Sequence, residues 1–187
     1  MDIRIRPATT ADLGAIRDLQ IESWRGAYAG MLPDTFLRDS VVDVLAERWK
    51  ALPGDGWIVD TAWAGDRLVG FVTVDRAKGP GAYVDNLHVA SDTKGSGVGR
   101  KLMAGAAATL AAEGVDRLWL TVIDQNTPAR AFYRRIGGRE QTAFDELLYG
   151  QPVTAIPVEW NDLKALAAQH GPSKGATPGQ TDRATSG

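Results

Sequence analysis

Three glycines at alternate positions, Gly95, Gly97 and Gly99, sit between a short apolar run and a helical pattern. The run AYVDNLHV (82–89) carries Val84, Leu87 and Val89 and reads as a strand. Val98, Leu102, Ala106 and Leu110 recur every fourth residue and read as a helix. Glycines let backbone approach a ligand closely. Amides at a helix start have no intrahelical acceptor, and the helix dipole adds positive potential there. A phosphate or pyrophosphate suits such a place, and Lys94, Arg100 and Lys101 add cationic charge. The spacing excludes two familiar phosphate motifs. Gly95 and Gly99 enclose three residues where a P-loop has four, and Arg100-Lys101-Leu102 follows in place of Gly-Lys-Ser/Thr. The glycines read GxGxG rather than GxGxxG, with no strand–helix–strand repeat around them.

The elements that must position this turn can be read in order. Residues 3–6 alternate apolar and charged as a half-buried strand ended by Pro7. Thr10 is the expected cap of a first helix, with Asp12 at its positive end and Leu13, Ile16, Leu19, Ser23 and Ala27 on one face. A second helix is expected over 34–50 on Val41, Val42, Leu45 and Trp49, ended by Pro53-Gly54. Residues 57–64 and 67–75, separated by Gly65-Asp66, form a hairpin. KGPG (78–81) is a loop, 117–122 another strand, 143–148 and 152–160 two late strands, and 161–169 a short helix. From Gly171 the chain has no apolar residue larger than alanine or proline, so residues 171–187 are expected to be a disordered tail behind one domain at 1–170.

Composition bounds the function. The chain has 187 residues, 44% apolar and 24% charged, with net charge −2, which suits one globular domain and neither nucleic acid nor a membrane surface. No stretch resembles a signal region or a membrane span, so a cytoplasmic protein is expected. Without cysteine there is no disulfide, thiolate metal site or cysteine nucleophile, and two distant histidines, His88 and His170, make no metal site.

A second stretch, Asn126-Thr127-Pro128-Ala129-Arg130-Ala131-Phe132-Tyr133-Arg134-Arg135-Ile136-Gly137-Gly138, starts with a capping asparagine and a first-turn proline. Ala129, Phe132, Tyr133 and Ile136 share a face, and Gly137 ends the helix. NLHVASDTKGSGVGRKLM together with this stretch resembles, in order, the two signatures of the GNAT (GCN5-related N-acetyltransferase) superfamily. The hairpin WAGDRLVGF (63–71) resembles the one that precedes the cofactor strand in that family. Lys94 departs from the usual arginine or glutamine and keeps a cation without the planar fork.

The resemblance implies an α/β GNAT fold: a central mixed, mostly antiparallel sheet, splayed at the acyl-CoA site and flanked by helices. It implies an enzyme that moves an acetyl group from acetyl-CoA to a small-molecule or peptide amine by direct transfer in a ternary complex. A protein N-terminal acetyltransferase and a non-catalytic acyl-CoA-binding regulator are the alternatives. Family members are often dimers, so a homodimer is compatible with it.

Such a transfer must polarise the thioester carbonyl, stabilise the departing thiolate and deprotonate the amine. By resemblance, main-chain amides of Leu87, His88 and Val89 serve the carbonyl and pantetheine. Lys94, Gly95, Ser96, Gly97, Val98, Gly99 and Arg100 hold the pyrophosphate, with Asn126 and Ala129 beside the pantetheine. Tyr133 points its hydroxyl at the coenzyme A sulfur. Asp85 stands where polyamine acetyltransferases of this superfamily carry a basic glutamate. Strict alternation puts it on the face of Leu87 and Val89, partly desolvated, while a bulge would turn it to the pocket. His88, on the opposite face by alternation, is a second candidate base. Trp24, Tyr28 and Met31 read as core; the resemblance instead makes the first helix and its loop one wall of the acceptor pocket, so that Trp24, Tyr28 or Glu22 would meet substrate. Glu22, Asp85 and Asp145 could also favour a cationic amine.

Overall fold

The computed structural model describes residues 2–170; the tail expected to be disordered lies outside the described residues. Eight strands form one open sheet in the order β1-β2-β3-β4-β5-β8-β6, with β7 also paired to β8. They are β1 Arg4–Pro7, β2 Trp57–Ala64, β3 Arg67–Asp75, β4 Ala82–Val89, β5 Leu118–Ile123, β6 Arg139–Glu140, β7 Phe144–Leu148 and β8 Gln151–Trp160. The helices are α1 Leu13–Ala27, α2 Val41–Arg48, α3 Val98–Ala112, α4 Thr127–Arg135 and α5 Leu163–Ala167. This is the mixed, mostly antiparallel sheet flanked by helices that the resemblance implied.

Each face of the sheet carries a core. On one face Val69, Val72 and Val158 meet Leu102, Met103 and Leu110 of α3 and Leu163 and Leu166 of α5. On the other, Phe71 meets Ile16 and Trp24 of α1, Leu45 of α2, Phe36 and Trp49. Gly70 sets the height of α3 over the sheet. A Cβ there would lie 2.9 Å from Val98 Cγ1 and 3.1 Å from the His88 carbonyl.

All neighbouring strands run antiparallel except β4 and β5. These two are joined by the α3 crossover and pair only at Ala82–Leu118 and Tyr83–Trp119 before they part. A second irregularity lies in β4. Thr73 opposes Asn86 but Val74 opposes Val84, so Asp85 is a bulged residue without a partner on β3.

Several local expectations shift. Thr9, not Thr10, begins the first helical turn; its amide and hydroxyl donate to Asp12 Oδ2 at 2.7 and 2.9 Å. Asp12 also takes both guanidinium nitrogens of Arg6, which holds its carboxyl well below the usual range. The buried face of α1 is Ile16, Leu19, Gln20 and Trp24, which leaves Ser23 and Ala27 at its margin. The expected helix over 34–50 is a wide turn at Phe36–Ser40 followed by α2, and Val42 is exposed while Val41 and Leu45 are buried. β6, only two residues long, has too few residues to show a period.

Gly138 follows the second motif and is wedged under β8. A Cβ there would lie 2.6 Å from Val158 Cγ1 and 2.7 Å from Trp160 Cζ2. Gly138→Ala should therefore destabilise the protein by about 1–3 kcal/mol through overpacking. The midpoint of urea unfolding checks this, and an unchanged midpoint would mean that β8 yields freely.

Candidate active site

The glycine turn has the shape its sequence suggested. Gly95 and Gly97 adopt left-handed φ values of +84° and +88°, and Gly97 is the cap residue of α3. A glycine cap has no side-chain oxygen to occupy the amides of the first turn. The first intrahelical bond runs from the Lys101 amide to the Gly97 carbonyl at 3.0 Å. The amides of Gly95, Gly97, Val98, Gly99 and Arg100 therefore have no protein acceptor among the described residues. Two of the expected pyrophosphate ligands differ. The Lys94 amide donates to the Ser91 carbonyl at 3.4 Å and the Ser96 amide to the Thr93 carbonyl at 3.2 Å, so both are already engaged in the turn. The Ser96 hydroxyl is committed to the Thr93 carbonyl as well, at 2.6 Å.

Where β4 leaves β5, one edge of β4 is open. The Ala90 amide donates to the Val69 carbonyl at 2.9 Å. Amides alternate in direction along an antiparallel strand, so that of His88, opposite Phe71, also turns toward β3. The amides of Leu87 and Val89 turn toward the gap. This corrects the expectation that three consecutive amides face it: the pleat allows two of the three.

α4 closes the other side. Asn126 caps it, with Oδ1 accepting from the Ala129 amide at 3.2 Å, and its Nδ2 has no protein acceptor among the described residues. Phe132 lies 3.3 Å from a Cβ built at Gly99, so that glycine also brings α3 and α4 together. Tyr133 is half-buried, edge-on to Phe132 at 5.3 Å and to Trp160 at 5.9 Å. Burial raises its phenol well above the ordinary range, reinforced by the neighbouring phenols of Tyr28 and Tyr83. It is a neutral hydrogen-bond donor at any working pH.

The bulge changes the facing of one of the two candidate bases, Asp85, and leaves His88 on the face that alternation gave it. Leu87 and Val89 pack toward α3. Asp85 instead meets Arg48 of α2 at 3.4 Å, and His88 meets Ser23 and Trp24 of α1. Asp85 thus does not share the face of Leu87 and Val89, and it lies on the same side of the sheet as His88. Strict alternation fails because the extra residue at 85 shifts the phase of the strand. A polar chain holds the bulge. Trp49 Nε1 donates to Gln20 Oε1 (2.6 Å), Gln20 Nε2 to Asn86 Oδ1 (2.7 Å), and Asn86 Nδ2 to both Thr73 Oγ1 (3.1 Å) and Asp85 Oδ2 (2.7 Å).

His88 is buried. Trp24 Nε1 donates to its Nε2 at 3.4 Å, which assigns the proton to Nδ1, 2.9 Å from Ser23 Oγ. Burial, with Lys94 nearby, lowers its pKa to about 3, which keeps the imidazole neutral and weakly basic near neutrality. A depressed histidine binds fewer protons folded than unfolded. Its stabilisation is complete above about pH 6.5 and is lost as pH falls toward 3, with a slope of up to about 1.4 kcal/mol per pH unit. Melting temperatures between pH 7 and 5 should fall in the wild type and fall less in His88→Gln.

Trp24 is core, 3% exposed, with Tyr28 at 5.3 Å, Phe36 at 6.3 Å and Tyr149 at 5.4 Å around it. This burial matches the reading of Trp24 as core. Tyr28 is half-buried beside it, with its phenol pushed up to about 12 by burial. Glu22 faces a separate cleft of about 530 Å³ between α1 and the β2–β3 turn, which Arg67 and Asp92 also line. Asp145 lines a cleft of about 380 Å³ with Met31, the end of β5 and Val153 of β8. Sequence reasoning missed Arg48, Tyr83 and Tyr149. Tyr83 donates to or accepts from Thr121 Oγ1 at 3.0 Å, which ties β4 to β5 just where they part. Tyr149 is the one non-glycine residue at positive φ among the described residues (+48°), in the tight turn before Gly150. The Tyr-Gly pair between two strands was its available signal.

A mixed sheet opened between two parallel strands, beside a helix start with bare amides, leaves main-chain donors free along an extended path that ends at an anion site. The model of the acetyltransferase (GNAT) family matches residues 15–138, and the chain belongs to that family. It is accordingly an acetyltransferase. The uncharacterized N-acetyltransferase YuaI of Bacillus subtilis is 25% identical over 169 residues, which span 88% of this chain and 96% of that one. Among solved structures, the PaiA N-acetyltransferase of Thermoplasma acidophilum in complex with coenzyme A shares the fold with TM-score 0.63 and 21% identity, covering 83% of this chain and 98% of that one. The ribosomal-protein-S18-alanine N-acetyltransferase of Escherichia coli does so with TM-score 0.64 and 21% identity, covering 84% and 92%. Among the described residues no helix is long and apolar enough to cross a membrane, and no group of three or more His, Asp or Glu is arranged for a metal ion.

Proposed function

We propose that this chain transfers the acetyl group of acetyl-CoA directly to an amine bound beside it. The observation that carries the reading is the set of bare amides at Gly95 and Gly97–Arg100 behind a glycine cap, a fit to a diphosphate. Lys94, Arg100 and Lys101 add charge around it. Similar structures with coenzyme A bound, the PaiA enzyme among them, support the same ligand.

Acetyl-CoA supplies an activated acyl group on a thioester. The chain supplies the rest. Leu87 and Val89 offer amides at the open edge of β4 for the carbonyl oxygen and the pantetheine, with the Asn126 side chain and the Ala129 turn alongside. Tyr133, kept neutral by burial, donates a hydrogen bond to the sulfur as negative charge gathers there. Asp85, turned out by the bulge, accepts the amine's proton directly or through a water. The chain has no cysteine to carry an acyl group, which favours direct transfer. A cytoplasmic setting belongs to the same reading.

Thiol release from acetyl-CoA, followed with and without amino acids, polyamines, aminoglycosides and peptide amines, tests the proposal. Release that depends on an amine supports it. Tight binding of acetyl-CoA without release for any amine would favour an acyl-CoA-binding regulator. Release with peptide amines alone would favour a protein N-terminal acetyltransferase. Asp85→Asn should remove the acidic limb of the pH–rate profile, and an unchanged limb would put the base elsewhere.

A further inference from the structure

The bulged Asp85 is not a bare carboxylate. Its Oδ2 takes the Asn86 amide at 2.7 Å and one guanidinium nitrogen of Arg48, Nη2, at 3.4 Å. Its Oδ1 has no partner among the described residues, and neither do Nε and Nη1 of Arg48. The pair is held together loosely while the guanidinium itself is held firmly, with Cζ 4.8 Å from the Trp49 ring centroid and 5.5 Å from that of Trp57. Both side chains remain in reach of solvent, 23% and 30% exposed. Tyr149, at positive φ, rests its ring edge-on against Trp24. The Tyr149 phenol is raised by burial and then by Asp85, while Arg48 opposes the rise, so its ring belongs to the same neighbourhood.

Such a pair discriminates among amines. A purely cationic amine that approaches Asp85 also approaches a fixed positive charge, which offsets its attraction. An acceptor carrying a carboxylate next to its amine can engage both partners at once, Oδ1 of Asp85 with the ammonium and the Nη1 side of Arg48 with the carboxylate. Arginine suits the second task because its planar fork matches a carboxylate. The 3.4 Å between the partners requires the two charges of the acceptor to be close together. Asp85 stands two residues before Leu87, about 6–7 Å along the strand from the amide assigned to the thioester.

Resting on the acetyltransferase reading above, we propose that Arg48 is a specificity residue and that the acceptor is a small amino acid, with the carboxylate on Arg48 and the amine on Asp85.

The test is an acetyl-acceptor screen of α- and β-amino acids against their methyl esters and the matched amines without the carboxyl group, with acetyl-CoA binding measured by calorimetry. The wild type should favour at least one free amino acid over its ester by about tenfold or more in kcat/KM. Arg48→Gln should erase that preference through KM, and Arg48→Lys should restore part of it. Circular dichroism checks that both variants are folded, and should they not be, the wild-type panel alone decides. Esters or plain amines used as well as the free acids would overturn the inference while leaving the acetyltransferase reading intact. So would equal losses for all acceptors in Arg48→Gln. Failure of the wild type to bind acetyl-CoA at all would overturn both.

Discussion

Replacing Tyr133 by phenylalanine is expected to lower kcat about 100-fold while the Kd for acetyl-CoA stays within about threefold, since a positioned acid contributes on the order of 100-fold or more to a rate. The ring does the packing, edge-on to Phe132 and Trp160, and phenylalanine keeps those contacts. What is lost is one hydroxyl. Burial holds that hydroxyl protonated, so on the proposed mechanism it would act as a donor to the sulfur rather than as a base. The rate should therefore fall without a new limb in the pH profile. Stopped turnover measured by thiol release, beside calorimetric binding of acetyl-CoA, separates the two quantities. An unchanged kcat would remove Tyr133 from the chemistry, and a lost Kd would make it a binding residue only.

Gly97→Asp is expected to weaken acetyl-CoA binding about 100-fold or more, because a like charge set against an anion costs several kcal/mol and each 1.4 kcal/mol is tenfold. The position has room: the nearest group to a Cβ there is Arg100 Nη2 at 3.7 Å. Its φ of +88° is one that aspartate tolerates better than most residues. An aspartate there would put a negative charge beside the amides that the glycine leaves bare, at the positive end of the helix. The left-handed φ strains any side chain by about 1–3 kcal/mol, so a drop in thermal stability shared with Gly97→Asn should accompany the larger loss of affinity, and comparing the two variants separates strain from loss of the anion site. Gly97→Asn, which caps without charge, should lose less. Equal affinity in all three proteins would mean that the diphosphate does not use these amides.

The local features of this chain were legible in its sequence because their causes are local. The hairpin at 57–75 follows from β-branched and aromatic runs on either side of Gly65-Asp66. The bare amides follow from a glycine at the cap of a strongly periodic helix, and the Asn126 cap from its place before Thr127-Pro128. The family follows from two such local motifs in order. What tertiary structure decided lies where distant residues meet. The bulge at Asp85 depends on Gln20 and Trp49, which belong to other elements and join β4 only in the folded state. Gln20 in an otherwise apolar stripe was the one trace of it. Arg48 reaches Asp85 across 37 residues, and no spacing along the chain encodes that pairing. His88 loses its usual titration through burial against Ser23 and Trp24. The pleat, not the identity of any side chain, decides that the amides of Leu87 and Val89 rather than that of His88 face the gap. The sequence by itself determined which backbone amides are left bare behind the glycine cap, since glycine and helix geometry are near-neighbour properties. Only the tertiary structure decided what surrounds Asp85 and His88, since charge and desolvation there come from α1, α2, β4 and the β7–β8 turn acting together.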